Sequence, residues 1–228
     1  MTKVAFFVDG HFLFHQVRKF RSFFCDGPNI RDYCERHLKE GEKIYKIFYY
    51  DAPPLEREGS TPFGNPFNLG KGTTIQKMQT LFTSIKETPF MVLRLGKVSW
   101  QNDWILSASS VHELINGTRT AESLSDADFY PNIQQKGVDM RIGLDISDIS
   151  FHHSADRIVL VGGDADFVPA VKLARKQGLE VTVDPMGNNL SSDLIEHVDY
   201  VHCALDSSNP EDVDPLMAGV FVHNPKEI

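Results

Sequence analysis

Four aspartates stand where the apolar runs of this chain stop or restart. Asp9 follows Val4 to Val8, Asp164 and Asp166 follow Ile158 to Val161 and the pair Gly162-Gly163, and Asp139 opens a helical stretch leading into that second run. Asp51, directly after Ile44 to Tyr50, is a possible fifth acid. Carboxylates crowded together repel and raise one another's pKa, so a cluster of them implies a bound cation. Hard oxygen donors suit Mg²⁺ or Mn²⁺, which keep several waters and bridge to phosphate oxygens. The chemistry that follows is phosphodiester hydrolysis, with water as the attacking group and no side-chain nucleophile; whether one or two ions take part stays open.

The elements must bring these acids together. The stretch RIVLVGGDADFVPAVKLARKQGLEVTV, from Arg157 to Val183, reads as a buried strand, a tight turn, a helix on Phe167, Val168, Val171 and Ala174, a closing Gly178, and a second strand from Leu179. That is a βαβ crossover between parallel strands. Lys3 to Val8, Ile44 to Tyr50 and Phe90 to Leu95 are further strands, and Tyr200 to Cys203 is a short one. Helices are expected after Gly10 through Phe12, Leu13, Val17 and Phe20, over Ile30 to Lys39, Thr74 to Lys86 and Met140 to Ser150, and through Leu194, Ile195 and Val198. The fold class is α/β: a doubly wound, mainly parallel five-stranded sheet with flanking helices and an irregular insertion. In such a sheet, ligands sit outside the carboxyl ends of the strands. Asp9 and Asp164 leave strands at that edge. A helix preceding a parallel strand starts there too, which delivers Asp139 to the same place.

Length and composition set the outer bounds. A chain of 228 residues with 41% hydrophobic and 24% charged residues has the makings of a sizeable core. We read one domain over residues 1–204 and a Pro-rich acidic tail over 205–228. The loop 52–72 and the insertion 97–130 are expected beside the site. Three cysteines without CxxC spacing argue for a reducing compartment and against a zinc site or disulfide framework. The first apolar run is too short for a signal peptide or a membrane span, so the expectation is a cytoplasmic protein with no membrane partner. A net charge of −8 speaks against a broad basic surface, although a cation in an acidic cleft reverses the sign locally.

The same residues carry a resemblance. VAFFVDG at the N-terminus, IFYYDAPP at 47–54, QKGVDMRIGLDI at 135–146 and VLVGGDADFVPAVKLARKQG at 159–178 resemble the NYN domain family, its LabA-like branch, within the PIN-type nucleases. Phe90 to Trp100 is similar to a segment of that branch. The resemblance runs in order from Lys3 to Tyr200. It implies a PIN-like fold and metal-dependent cleavage of single-stranded or structured RNA, with Asp9, Asp139, Asp164 and Asp166 in the acidic positions and an acid at Asp145. Two departures stand out: His11-Phe12 where the family often carries Asn, and Gly162 where it often carries Ser. Both lost groups could orient a ligand or a water.

The remaining polar residues divide between roles. Lys136, near a helix start, could grip a phosphate, and Arg94 and Ser192 join it as substrate-binding candidates. Ser191 or Ser192 reads as a helix cap rather than a nucleophile. Asp145 and Asp148 share a helical stripe with Arg141 and His152, so a solvated face with an Arg141–Asp145 pair is the plain reading, and Asp51 could simply start the turn before Pro53-Pro54. His11 and His15 have i,i+4 spacing but lack the partners of a zinc site. Gly162-Gly163 lacks dinucleotide-binding spacing. Oligomeric state is open, and a homo-oligomer fits as well as a monomer. The competing function is a non-catalytic NYN-type module that binds RNA or protein through 52–72 and the segment near Trp100 and Trp104.

Overall fold

The computed structural model describes residues 1–17, 25–69, 73–101 and 103–205. The expected continuation of the first helix to Phe20, and the tail beyond 205, lie outside those residues. The chain forms two compact units. The larger comprises Met1–Asp51, Gln79–Leu95 and the chain from Gly137; the smaller comprises Ala52–Met78 and Gly96–Lys136.

In the larger unit the elements follow in the order β1 (Thr2–Asp9), α1 (Gly10–Val17), α2 (Gly27–Glu35), β2 (Glu42–Asp51), α3 (Thr73–Glu87, entering this unit at Gln79), β3 (Met91–Leu95), α4 (Val138–Phe151), β4 (Arg157–Val161), α5 (Val168–Lys176), β5 (Glu180–Asp184), α6 (Ser192–Glu196) and β6 (Tyr200–Val201). The sheet order is β6-β5-β4-β1-β2-β3, and every neighbouring pair is parallel. The sheet has six strands, not five, because Tyr200 and Val201 pair with Thr182 and Val183 and extend one edge. From β1 the chain winds one way through β2 and β3 and the other way through β4, β5 and β6. The strand order therefore reverses between β1 and β4.

Apolar run and burial coincide. Val4 to Val8 are fully buried, as are Ile158 to Val161, which is how strands covered on both faces read. Polar groups fix the helix ends. Asp26 Oδ1 accepts from the Asn29 N–H at 2.9 Å to start α2. Ser191 Oγ accepts from the Leu194 N–H at 3.2 Å, so Ser191 is the cap of α6 and Ser192 its first residue. Gly178, at φ 87°, closes α5 in the left-handed region that favours glycine. Gly137, at φ 76°, makes the same demand where α4 begins.

The smaller unit has more order than the irregular insertion expected from its weak alternation. Glu58–Ser60 and Pro66–Asn68 form an antiparallel hairpin inside the expected loop. Lys97–Ser99 pairs with Gln134–Lys136, and Trp104–Leu106 with Phe129–Pro131. A helix over Ala108–Ile115 starts at Ser107, whose hydroxyl accepts from the Ser110 N–H at 3.1 Å. Phe67, Trp100 and Trp104 pack edge to face, and the Arg57 guanidinium lies 5.7 Å from the Trp100 ring centre. Arg119 binds both carboxylate oxygens of Asp128 at 2.5 and 2.8 Å and holds its pKa below the usual range.

Candidate metal and phosphodiester site

Asp9 is the last residue of β1, and Asp164 lies two glycines beyond the end of β4, so both leave the sheet at the point where strand order reverses. Open α/β sheets place their ligands in the crevice at that point. Each of these acids commits one oxygen to local structure. Asp9 Oδ1 accepts from the Phe12 N–H at 3.1 Å, and Asp164 Oδ1 from the Asp166 N–H at 2.9 Å. The turn role that Asp164 could play on residue type alone is real, and it uses one oxygen of the two. Asp9 also draws on His11, through its N–H and its ring charge. Among the described residues the second oxygen of Asp164 and the carboxylates of Asp139 and Asp166 accept no hydrogen bond from another residue.

The raised pKa values of Asp9 and Asp139 reflect the crowding. Burial raises the Asp9 pKa most; the Phe12 N–H pulls it back, and the Asp139 charge raises it again. Burial and then the charges of Asp164 and Asp166 raise Asp139. The three stretches that carry these acids thus meet electrostatically at one rim. The crowding has a limit: no three of these carboxylates lie within 4.8 Å of one another. The one group of three or more that does so among the described residues is Asp193, Glu196 and His197 on α6.

Small residues shape the rim. A Cβ on Gly10 would lie within 2.6 Å of the Tyr49 ring end and the Tyr50 carbonyl, so only a bare backbone fits there. A Cβ on Gly162 would meet Asp9 Cβ at 3.8 Å and Phe167 Cε2 at 3.5 Å, both ordinary contacts. The serine that the family often carries would fit here, with its hydroxyl beside Asp9. Beyond the rim opens a cleft of about 460 Å³, with Asp9, Asp164 and Gly163 in its wall together with His11, Phe12 and Gln16.

The other expected site residues have different surroundings. Asp51 is 7% exposed at the end of β2, where the Tyr49 hydroxyl donates to it at 3.4 Å; burial, Asp51 and Asp26 push the Cys25 thiol up to about 12. Asp145 is not part of a solvated Arg141 pair. It takes the Tyr50 hydroxyl at 2.9 Å and Arg94 at 2.9 and 3.4 Å, because Tyr50 and Arg94 are register partners on β2 and β3. Arg94 is thereby held by Asp145 and lies 5.5 Å from the Phe48 ring centre. Asp148 faces His152 at 3.1 Å instead of an arginine. Lys136 is exposed at the last position of the smaller unit, opposite Lys97, and Ser192 is exposed on α6.

Sequence reasoning passed over one buried acid and three residues of the cleft wall, Gln16, Asn188 and Asn189. Asp184, at the end of β5, is bound by the Tyr33 hydroxyl, by His37 Nε2 at 2.9 Å, and by the N–H groups of Met186 and Ala204 at 2.7 and 3.1 Å. Burial pushes its pKa up, but the hydrogen bonds from His37 and Tyr33 outweigh burial and hold it low. Gln16 and Asn189 line the cleft. The i,i+4 steps from His11 to His15 and from Phe12 to Gln16, just after a strand exit, were the available signal.

Comparison with known proteins places the fold. Residues 3–206 match the NYN domain. The chain belongs to the NYN domain family. The family is generally nuclease-like and typically uses divalent metals. An uncharacterized protein of Methanocaldococcus jannaschii is 32% identical over 80 residues, 35% of this chain and 33% of that protein, so the chain spans about a third of the relative it matches. The crystal structure of a protein of unknown function from Vibrio parahaemolyticus has the same fold at a TM-score of 0.50 and 16% identity, covering 93% of this chain and 96% of that one. Among the described residues no helix is long and apolar enough to cross a membrane.

Proposed function

We propose that this NYN domain, whose motifs most resemble the LabA-like branch, is a metal-dependent ribonuclease hydrolysing RNA phosphodiester bonds at the rim of Asp9, Asp139, Asp164 and Asp166. The observation that carries the reading is the set of carboxylates at the switch point that form no ion pair with a lysine or arginine among the described residues, with Asp9 and Asp139 raised in pKa. Charges left unpaired in a partly buried place cost stability, and a cation removes that cost.

The donor set fits a hard divalent cation. Asp9 and Asp164 each have one oxygen fixed by a backbone N–H, which directs the other, and all the donors are carboxylates, the ligands that suit Mg²⁺ or Mn²⁺. When bound, such an ion activates water and stabilises charge on the phosphate. The residues themselves contribute orientation. The Phe12 and Asp166 N–H groups hold Asp9 and Asp164 in place, and the bare backbone of Gly162 and Gly163 lets a phosphate strand approach. With no three of these carboxylates within 4.8 Å of one another, some of the four would hold the ion through water. Lys136 and Ser192 are the proposed substrate contacts; Arg94 would have to leave Asp145 to join them.

A second reading, a module that binds RNA or protein without cutting, is favoured by that same spacing and by the missing serine at Gly162. Cleavage of a labelled single-stranded RNA in Mn²⁺, Mg²⁺ or EDTA decides between them. The nuclease reading expects metal-dependent products, lost in Asp164→Asn while the folded structure persists. RNA bound in every condition and cut in none supports the module. Cleavage unchanged in Asp164→Asn removes the proposed site.

A further inference from the structure

The cleft beside the rim differs in chemistry from the rim itself. Among the described residues of its wall there is no lysine or arginine, and the carboxylates there are those of Asp9 and Asp164. What the walls offer is the half-buried Phe12 ring, the exposed Asn189 carboxamide, and Gln16, whose Oε1 is buried with no hydrogen-bond donor among the described residues. A buried acceptor without a donor is an uncommon and costly arrangement, and it points to a group that arrives with an N–H. The cavity, about 460 Å³, lies within the roughly 300–1,000 Å³ of small-ligand pockets.

Gly163 keeps this space open. Its φ is not in the left-handed region, so the backbone does not require glycine there. A Cβ would make ordinary contacts with Leu190 at 3.4 Å and Phe12 at 3.7 Å. A side chain is therefore absent from a position that could hold one, and what its absence leaves bare is the approach to Phe12.

We propose that this cleft is a base-binding subsite that receives one unpaired nucleobase, stacked against Phe12 and donating an edge N–H to Gln16 Oε1. The phosphate flanking that nucleotide then lies on the side of the base that faces the rim. A neutral, planar group with a donor edge suits an aromatic wall and an orphan acceptor, and bases that are out of the helical stack are what aromatic platforms hold. The inference takes from the nuclease reading only the identity of the polymer. Duplex RNA, whose bases are paired, cannot enter, so the cleft selects unpaired nucleotides.

The test is binding of a short labelled single-stranded RNA to the full chain in EDTA, with an abasic residue placed at each position in turn, together with mapping of any cleavage in Mn²⁺. The expected result is that one abasic position weakens binding about tenfold, and that Phe12→Leu and Gln16→Leu remove this dependence. Gly163→Val, which fills the cleft without touching a carboxylate, should do the same, and thermal melting of each variant shows that it is folded. Binding indifferent to every abasic position, or absent altogether, overturns the subsite. The two claims fail separately: metal-dependent cleavage without base dependence removes the subsite and keeps the nuclease, and base-dependent binding without cleavage does the reverse.

Discussion

Asp9 and Asp184 both end strands of one sheet at the same edge, yet their surroundings are opposite. Asp184 is wholly buried and tied by Tyr33, His37 and two backbone N–H groups, which hold its pKa low. Asp9 has the N–H groups of Phe12 and His11, a neighbouring carboxylate at Asp139, and a pKa that burial still raises. Asp145, with Arg94 and Tyr50, belongs with Asp184; Asp139, Asp164 and Asp166 belong with Asp9. A carboxylate that the fold needs is given its partners by the fold. One that is left without them is maintained against its own cost, which makes the rim acids the candidates for function.

The comparison can be broken most severely at Asp184. Asp184→Ala leaves His37 and Tyr33 buried without their acceptor and should lower the unfolding free energy by about 3–5 kcal/mol in urea denaturation. Removing a partner at the half-exposed pair is milder: Arg94→Ala should cost about 1 kcal/mol in the same measurement, since Tyr50 still donates to Asp145.

At the rim the sign reverses. The folded pKa of Asp139 is raised, so its ionised form penalises the fold at neutral pH, and the penalty fades as pH falls through the folded pKa toward the ordinary carboxylate value of about 3.9. Asp139→Asn should therefore melt slightly higher than the parent chain at pH 7 in EDTA, with the advantage gone near pH 4. Asp184 runs the other way: its depressed pKa gives stability that is present above the ordinary value and lost as pH falls through the folded one. Equal pH profiles for Asp139→Asn and Asp184→Asn, each taken relative to the parent, would erase the distinction. The smallest change is Gly162→Ser, which restores a hydroxyl beside Asp9 where a Cβ meets only ordinary contacts; it should leave the melting midpoint within a degree or so of the parent.

What could be read from the chain itself follows the range of the interactions. The strands, the Gly178 closure and the placement of Asp9, Asp139 and Asp164 were legible because each rests on a local pattern: an apolar run, a glycine stop, an acid at the exit. The sixth strand was visible as a short run but not as a member of the sheet, since two residues carry no sign of their partner. Asp184 was not legible as a buried hub. Its partners Tyr33 and His37 come from the far side of the sequence, and no spacing links them. Asp145 was misread for the same reason: its cation is Arg94, on a strand, and not Arg141 one turn away. The helix Ala108–Ile115 escaped because it is only eight residues long and lies in a mostly polar stretch. The cleft escaped because Gln16 and Asn189 acquire meaning only when α1 and the loop after β5 are brought side by side.

The most direct test of the division between paired and unpaired acids is the shift in melting midpoint on titrating Mn²⁺ into the parent chain, Asp9→Asn, Asp164→Asn and Asp193→Asn. A ligand bound only by the folded state raises the midpoint. The account predicts a saturable rise in the parent and in Asp193→Asn, and its loss in both rim variants. No rise in the parent, or a rise that survives at the rim and disappears in Asp193→Asn, would contradict it and move the cation to the exposed group on α6.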